Sequence, residues 1–447
     1  MASKSKRART VKQRNLAKDF MYWAIVVFII KLIIIGNVQG GAWLGADGEN
    51  YLKGFDGLVK DGIFSKESIL NYWPAGYPLF LLFLSVIGKS FVLTTLSIVQ
   101  TAIYSFATYF FAAQLSKTKL KKFSYLTFLL ILFNPTLSLS SIAVGYESLA
   151  ASGYLLAIGI IIKDCINKDD KKFWSYLITT SAIFGFLTFI QPRLIVAGIL
   201  INIIWILVRE PKKFASVFIL ISLAITLFFP ATLIYRNHKA TGQNSISTNL
   251  GVTMNIGAGN NANGGYDPKN LGVDCKTSGT ESQQDNQRVK CVLNWYLSNP
   301  IKGLKLFYNK TLYFWSPWYG PEANGTMARN PWLKINPIKN IADSSPDGQK
   351  LVYGGFGKLV SWLWLLSGVF LFFYGFLILW RMKSLERLIG SIAGVVVLSS
   401  WLITLISIGD HRFRLPILGM SLFLQAVGIR TLLKGGKPPM VDGPALR

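Results

Sequence analysis

The stretch MYWAIVVFIIKLIIIGNV, residues 21–38, decides the fold, because it is apolar along almost its whole length and carries one charge, Lys31. A helix needs about 20 mostly apolar residues to cross the hydrocarbon core of a bilayer. Such runs recur along most of the 447 residues, of which 51% are hydrophobic and 15% charged. The composition therefore excludes a soluble globule and predicts an all-α polytopic membrane protein. We expect Lys31 to snorkel outward along its span.

The basic residues indicate how the helices are oriented. The net charge is +26, but the lysines and arginines lie in short connections between apolar runs, which is typical of cytoplasmic loops and not of a nucleic-acid-binding surface. The basic segment 2–18 is expected to lie in the cytoplasm before an uncleaved anchor. Alternating the connections predicts about ten spans, with both ends cytoplasmic. The predicted spans are 21–38, 91–115, 124–145, 148–163, 174–190, 194–208, 214–235, 357–380, 387–408 and 415–433.

These spans divide the chain into three regions. Residues 1–235 form an N-terminal transmembrane module whose first outer loop is 39–90. Residues 236–356 form one long extracytoplasmic loop region, and 357–447 hold the C-terminal transmembrane helices and a cytoplasmic tail. Within the first outer loop, residues 77–88 are apolar but too short to form an additional span in this topology. We therefore expect them to form an outer juxtamembrane helix.

The other charged residues collect at the outer ends of the predicted spans. Acids and arginines on one face of a membrane favour a functional cleft over a set of separate anchors. Arginine can hold a phosphate through paired hydrogen bonds, and a carboxylate can accept a proton from a hydroxyl. This chemistry suits a lipid phosphate that carries a sugar. The residues concerned are Asp47, Glu49, Glu147, Arg193, Arg236, His238, Asp410, His411, Arg412 and Arg414.

Several motifs occur in a recognisable order. GADGENYLKGFDGLVKDGIFS (45–65) precedes NYWPAGYPLFLLFLSVIGKS (71–90), and MNIGAGNNANGGYD (254–267), NPIKGLKLFYNKTLYFWSPW (299–318) and HRFRLPILGM (411–420) follow. Together they resemble the type C membrane glycosyltransferases that use polyprenyl-phosphate sugars, in particular the bacterial protein-mannosyltransferase-like group. The resemblance covers most of the chain and implies a GT-C-like fold in the plasma (inner) membrane, with the active site on the extracytoplasmic side.

The resemblance also implies roles for the acids. Asp47 matches the essential acid that opens the first outer loop of that family, so it is expected to be the catalytic carboxylate. Glu49 is expected to help it, although many relatives have adjacent acids and Gly48 separates them here. Glu147 matches an acid often found in the second outer loop. Asp56 lies farther along the helix expected near Glu49, and is expected on its solvated face.

The implied reaction is a single inverting displacement, in which an acceptor hydroxyl attacks the anomeric carbon while the lipid phosphate leaves. The implied partners are a polyprenyl-phosphate-linked sugar donor, membrane lipids, and a glycan, lipid or protein acceptor; no nucleic acid is expected. The glycine-rich loop lacks the Lys-Ser/Thr ending of a phosphate-binding loop, so a substrate contact is expected there instead. Its candidate residues are Asn260, Asn261 and Tyr266. The candidates to bind the donor phosphate are Arg193, Arg236, His411, Arg412 and Arg414.

Metal and cysteine chemistry are less defined. No cofactor is required by this reaction, two histidines do not predict a zinc site, and a divalent cation held by Asp47 and Glu49 is left open. Cys275 and Cys291 share the long outer loop, whereas Cys165 is expected in the cytoplasm. A disulfide between the first two is permitted by their compartment.

Two other classes of protein remain as alternatives. A transporter or lipid flippase would place ionisable residues near the middle of the membrane and show paired broken spans in two halves. A ligase-type transferase of lipid-diphosphate-linked glycans would also favour outer arginines, but it would not require a carboxylate directly after the first span. Asp47 therefore favours the glycosyltransferase hypothesis.

Overall fold

The computed structural model describes residues 16–44, 47–266, 272–315, 345–383 and 385–433. In this part of the chain, nine helices are long and apolar enough to cross a membrane, and a bent pair of shorter helices, Lys121–Leu132 and Pro135–Ile142, is long and apolar enough only when the two are taken together. The prediction of an all-α polytopic chain is confirmed at this level. The helices are α1 Leu16–Gly36, α2 Gly48–Asp61, α3 Ile69–Tyr72, α4 Gly76–Ser85, α5 Val92–Leu115, α6 Lys121–Leu132, α7 Pro135–Leu139, α8 Glu147–Asn167, α9 Asp170–Ile190, α10 Ile195–Arg209, α11 Lys212–Thr241, α12 Leu250–Ile256, α13 Glu281–Ser298, α14 Pro300–Trp315, α15 Pro346–Tyr353, α16 Gly355–Arg381, α17 Leu385–Ile406 and α18 Leu418–Leu433.

The predicted third span, 124–145, is not one continuous helix. Helix α6 ends at Leu132, and the chain bends by 56° before it resumes at Pro135. Proline cannot donate a backbone hydrogen bond and disfavours helical geometry in the residue before it. Asn134 is accordingly extended, and its side chain accepts a hydrogen bond from the backbone N–H of Leu137 at 2.9 Å. The Asn-Pro pair therefore ends one helix and begins the next inside the apolar run.

The bundle has central and peripheral helices. In the most apolar 18-residue windows of α8 and of the segment Arg412–Leu433, which ends in α18, 72% and 78% of the residues are buried, whereas the corresponding shares for α1 and α11 are 28% and 22%. The peripheral helices expose large apolar side chains such as Ile33 and Leu220, which is the pattern of a surface in contact with lipid.

Buried polar contacts join neighbouring spans inside the bundle. The Asn202 side chain on α10 donates to Ser222 on α11 at 2.9 Å and to Ser181 on α9 at 3.2 Å. About one turn later on α10, Trp205 donates to the Asp164 carboxylate on α8 at 3.1 Å. Because a polar group in an apolar interior needs a partner, these contacts fix how the helices are packed against one another.

Two longer segments, 37–91 and 242–354, emerge from one end of the bundle, which we call the loop end. The first contains α2 to α4, and α4 packs so closely on α9 that a Cβ atom at Gly76 would lie 1.9 Å from the carbonyl oxygen of Phe189. The described part of the second contains α12 to α15. There Cys275 and Cys291 form a disulfide with a Cα–Cα distance of 6.0 Å, as their shared compartment permits.

Candidate functional site

Two short strands bring Asp47 and Glu147 together. Strand β1, Trp43–Leu44, pairs in parallel with β2, Ala143–Val144, and the pairing is the only sheet in the described part of the chain. Asp47 and Glu147 each follow the last residue of their strand by three positions. Asp47 directly precedes α2, without a capping hydrogen bond from its side chain, and Glu147 is the first residue of α8. The equal offsets place both carboxylates next to each other at the loop end.

The segment before Glu147 is fixed by side chains from two neighbouring helices. The Tyr77 hydroxyl on α4 accepts a hydrogen bond from the Gly145 backbone N–H at 2.8 Å, and the Gln100 amide on α5 donates to the Ala143 carbonyl at 2.9 Å. A Cβ atom at Gly145 would lie 2.5 Å from Oε2 of Glu147. Glycine therefore leaves the space that the Glu147 carboxylate occupies.

Arg412 lies between the two acids. Its Nε donates to Oε1 of Glu147 at 2.8 Å, and its Nη2 donates to Oδ2 of Asp47. Each of the three side chains is 12% exposed. The Asp410 side chain accepts from the Arg412 backbone N–H at 2.9 Å and so caps the short 3-10 helix His411–Ile417. One guanidinium thus neutralises part of the charge of two carboxylates that would otherwise repel each other.

Arg193 is the second arginine at this site. It follows α9 in the 3-10 turn Pro192–Leu194, and its guanidinium lies 3.7 Å from the centre of the Phe413 ring. It also donates to the Tyr146 hydroxyl, directly before Glu147. Arg412 and Asp47 are among the charges that act on it. Arg193 is therefore held beside the ion pair mainly by aromatic contacts, an arrangement that suits a planar guanidinium.

Tyrosines form the surface beneath the acids. The rings of Tyr51 on α2 and Tyr77 on α4 lie 4.6 Å apart. Burial, and next the neighbouring charges of Asp47 and Glu147, raise the pKa of the Tyr51 phenol well above its ordinary value. The Tyr51 hydroxyl is therefore protonated at neutral pH, and it can donate a hydrogen bond towards the site.

The glycine-rich loop packs against the segment that carries Arg412. The Gly409 backbone N–H donates to the Gly264 carbonyl at 2.8 Å. Gly409 is the residue before Asp410, so the loop contacts the start of the arginine segment directly. Gly264 has φ of 96°, a left-handed conformation that other residues rarely adopt.

The three polar residues predicted in this loop lie on its surface. Asn260 accepts a hydrogen bond from Lys302 of α14 at 2.8 Å. Asn261 is exposed, and Tyr266 is 43% exposed. The structure therefore brings their loop to the arginine segment, and it leaves these side chains on the solvent side of that contact.

Sequence reasoning missed Lys310. Its side chain is fully buried, and its ammonium group donates to the Tyr296 hydroxyl at 2.7 Å and to the Leu405 carbonyl at 3.0 Å. It therefore ties α14 to the end of α17, close to Gly409. Its helical spacing could have indicated that it is buried, because Lys310 falls on the same helix face as the buried residues Leu306 and Phe314.

Arg236 anchors a loop. It projects from α11 into segment 37–91, where it donates to the carbonyls of Ile63, at 3.1 Å, and Ser65. Its guanidinium also donates to the side chain of Asn237 at 2.9 Å, and the residue is 2% exposed. These bonds satisfy loop carbonyls that would otherwise be buried without donors. The structure therefore places Arg236 in contacts with segment 37–91, and it does not bring Arg236 into the contact between Arg412 and the two acids.

The remaining predicted residues do not share the contact between Arg412 and the acids. Glu49 lies in the first turn of α2 with an exposed side chain. Arg414 is buried, and it lies close enough to Asp410 for their opposite charges to attract each other. His411 begins the 3-10 helix, but its side chain lies outside the described part of the structure.

The prediction that Lys31 snorkels outward from its apolar span is wrong, because the structure turns the side chain inward. It is 2% exposed, and its ammonium group donates to the Ser141 hydroxyl at 3.1 Å and lies 4.3 Å from the centre of the Tyr104 ring. Ser141 belongs to the turn that leads into β2. Lys31 therefore supports the Glu147 loop from inside the bundle.

The two acids that meet, Asp47 and Glu147, have an arginine between them. A metal ion bound by both would have to displace the Arg412 guanidinium. Among the described residues, no group of three or more His, Cys, Asp or Glu side chains is placed to hold a metal.

Comparison with known proteins adds nothing to this geometry. No family model matches the chain, no curated protein matches it, and no solved structure matches it. The resemblance to type C glycosyltransferases therefore rests on the motifs of the sequence, and the site has to be interpreted from its own residues.

Proposed function

We propose that the protein is an integral-membrane glycosyltransferase that moves a sugar from a polyprenyl-phosphate donor to an acceptor hydroxyl, with inversion at the anomeric carbon. The observation that carries this proposal is the contact of Asp47 and Glu147 with one shared arginine, Arg412. Asp47 supplies a basic oxygen, and Arg412, which contacts it, supplies a cation that can bind a phosphate. Arg193 lies next to them. Both groups are needed where a hydroxyl attacks and a phosphate leaves.

In the proposed reaction Asp47 accepts the proton of the acceptor hydroxyl. The acceptor oxygen forms a bond to the anomeric carbon, and the bond from that carbon to the phosphate oxygen breaks with its electron pair on the phosphate. Arg193 and Arg412 stabilise the charge that develops on the leaving group. A phosphate already has a low proton affinity, so it needs this stabilisation more than it needs an acid.

The shared arginine would couple donor binding to the position of the acid. Arg412 donates to one oxygen of Asp47. A donor phosphate that competes for the guanidinium would weaken this contact, because the same N–H groups cannot serve both anions fully. The Asp47 carboxylate would then have an oxygen available to accept a hydrogen bond from the acceptor hydroxyl.

The test compares Asp47→Asn with Asp56→Asn. Asparagine keeps the shape of the side chain and removes its charge, and Asp56 is an exposed residue of the same helix, which makes it a matched control. Purified protein in lipid nanodiscs is given a panel of polyprenyl-phosphate hexoses and pentoses, and sugar transfer to hydroxyl acceptors is measured. We expect Asp47→Asn to lower turnover by roughly 10² to 10⁴, and Asp56→Asn to change it little.

Three results would contradict the proposal. Near-normal turnover by the Asp47→Asn variant would remove this carboxylate from the chemistry. Use by the unmodified protein of lipid-diphosphate-linked glycans, and of no monophosphate donor, would favour the ligase alternative. Movement of the donor across the bilayer without any transfer would favour a transporter.

A further inference from the structure

Helix α14 has apolar side chains on both of its faces. Along the outward face Ile301, Leu304 and Tyr308 are 84%, 70% and 64% exposed, and Leu312 is 37% exposed. At 100° per residue these four positions form one narrow stripe. The opposite face is buried against the bundle and carries Gly303, Leu306, Lys310 and Phe314. The exposed Lys302 and Lys305 flank this apolar stripe. A helix surrounded by water on this side would carry polar groups along the stripe as well.

Contacts with two membrane-spanning helices show the depth at which α14 lies. Its Thr311 hydroxyl accepts a hydrogen bond from the Trp401 indole at 3.2 Å, and Trp401 lies about 7.5 Å along the axis from the end of α17, at a rise of 1.5 Å per residue. The Trp315 and Phe372 rings are 5.7 Å apart. Phe372 is nearer to the end of α16 than to its start at the loop end. The last part of α14 therefore lies within the layer that the spans cross.

We infer that α14 enters the membrane leaflet at the loop end by its C-terminal half, with Leu312 facing lipid acyl chains and Tyr308 at the headgroup boundary. The depth of Thr311 and Trp315 makes lipid the neighbour of this part of the exposed stripe, and burial of apolar side chains in hydrocarbon is favourable at about 25 cal/mol per Å². Exposed Lys305 and Tyr308 fit the headgroup boundary, where tyrosine is enriched and lysine can extend its ammonium group to water. The inference does not depend on the proposed glycosyltransferase activity.

This placement changes how the long loop region is understood. Lys310, on the buried face of the same helix, ties α14 to the end of α17 beside Gly409. The glycine-rich loop and the arginine segment therefore rest on a helix that is itself inserted in lipid. The candidate site would open at the membrane surface and not in the aqueous phase.

The inference is tested by fluorescence quenching. In a Cys165→Ser background, single cysteines replace Leu304, Tyr308 or Leu312 and are labelled with bimane without reductant, so that the disulfide stays intact. Lys290, an exposed residue of α13, is the control position. In nanodiscs that contain phosphatidylcholine brominated on its acyl chains, we expect quenching to increase from 304 to 312 and to be smallest at 290. Aqueous iodide should quench in the reverse order.

Two results would overturn the inference. If the stripe positions are quenched by brominated lipid no more than position 290 and by iodide as strongly, the face is in water. If they are protected from both quenchers, residues 316–344 or a second copy of the chain cover the face. Size-exclusion chromatography of each labelled variant confirms that it is folded and monodisperse.

Discussion

The contact of Arg412 with Asp47 and Glu147 predicts a stability effect that can be measured without knowing any substrate. Replacing Arg412 with Gln keeps a polar group near the position of Nε but leaves two carboxylates side by side without a cation in contact with both. Each charge-assisted hydrogen bond contributes about 1.5–3 kcal/mol, and an uncompensated buried charge costs about 3–5 kcal/mol. Because the three side chains are 12% exposed, water relieves part of this cost. We expect a loss of about 3 kcal/mol in the free energy of unfolding.

The same reasoning fixes the result of a double-mutant cycle. In a Glu147→Gln background one of the two charges is already gone, so Arg412→Gln should cost about half as much, with a coupling energy of at least about 1 kcal/mol. The control is Lys53→Gln, which breaks an ion pair with Glu67 across 3.4 Å where the lysine side chain is 61% exposed. Such surface pairs contribute less than about 1 kcal/mol.

The assay is unfolding of the purified protein in mixed micelles of dodecyl maltoside and SDS, followed by far-UV circular dichroism. A loss for Arg412→Gln as small as that for Lys53→Gln would show that the arginine does not hold the two carboxylates together. An equal loss in the Glu147→Gln background would show that Glu147 is not its partner. Either result would refute the geometry on which the candidate site is built.

Two further predictions concern the second arginine and the orientation of the bundle. Arg193→Lys keeps the charge but loses the planar contact with Phe413. The KM for a polyprenyl-phosphate donor should therefore rise by about tenfold, with little change in the KM for the acceptor. An unchanged donor KM would remove Arg193 from the phosphate site. In a Cys165→Ser background, a cysteine at Glu49 should react with an impermeant maleimide from outside the cell and one at Lys119 should not; labelling of both from one side would overturn the predicted orientation.

Most of the spans could be predicted from the sequence because the requirement for a crossing is local. About 20 apolar residues satisfy it wherever they occur. The start of α2 was expected near Glu49 for a different reason, the run of charged residues there, and α2 begins at Gly48. The break between α6 and α7 was missed although Asn134-Pro135 marks it, because the apolar run continues on both sides. A hydropathy profile therefore does not reveal a helix N-cap inside an apolar run.

The position of Lys31 could not be predicted from its own surroundings. A lysine in an apolar span can extend to the membrane surface or turn inward, and the choice depends on whether a polar partner lies at its depth. The partner is Ser141, 110 residues later, in the turn that follows α7. A contact across so many residues cannot be predicted from the sequence around Lys31.

The choice between Glu49 and Glu147 shows why the candidate site also needed tertiary structure. Glu49 follows Asp47 by two residues at the start of a helix, and two residues turn a helix by about 200°, so the side chains point to nearly opposite sides. Asp47 and Glu49 are therefore close in sequence, but their side chains point away from each other. Glu147 lies 100 residues away, yet the β1–β2 pairing gives it the same offset from its strand as Asp47, and Arg412 reaches both from the last third of the chain. The acid that shares the arginine is therefore decided by strand register, which neither charge nor spacing in the sequence encodes.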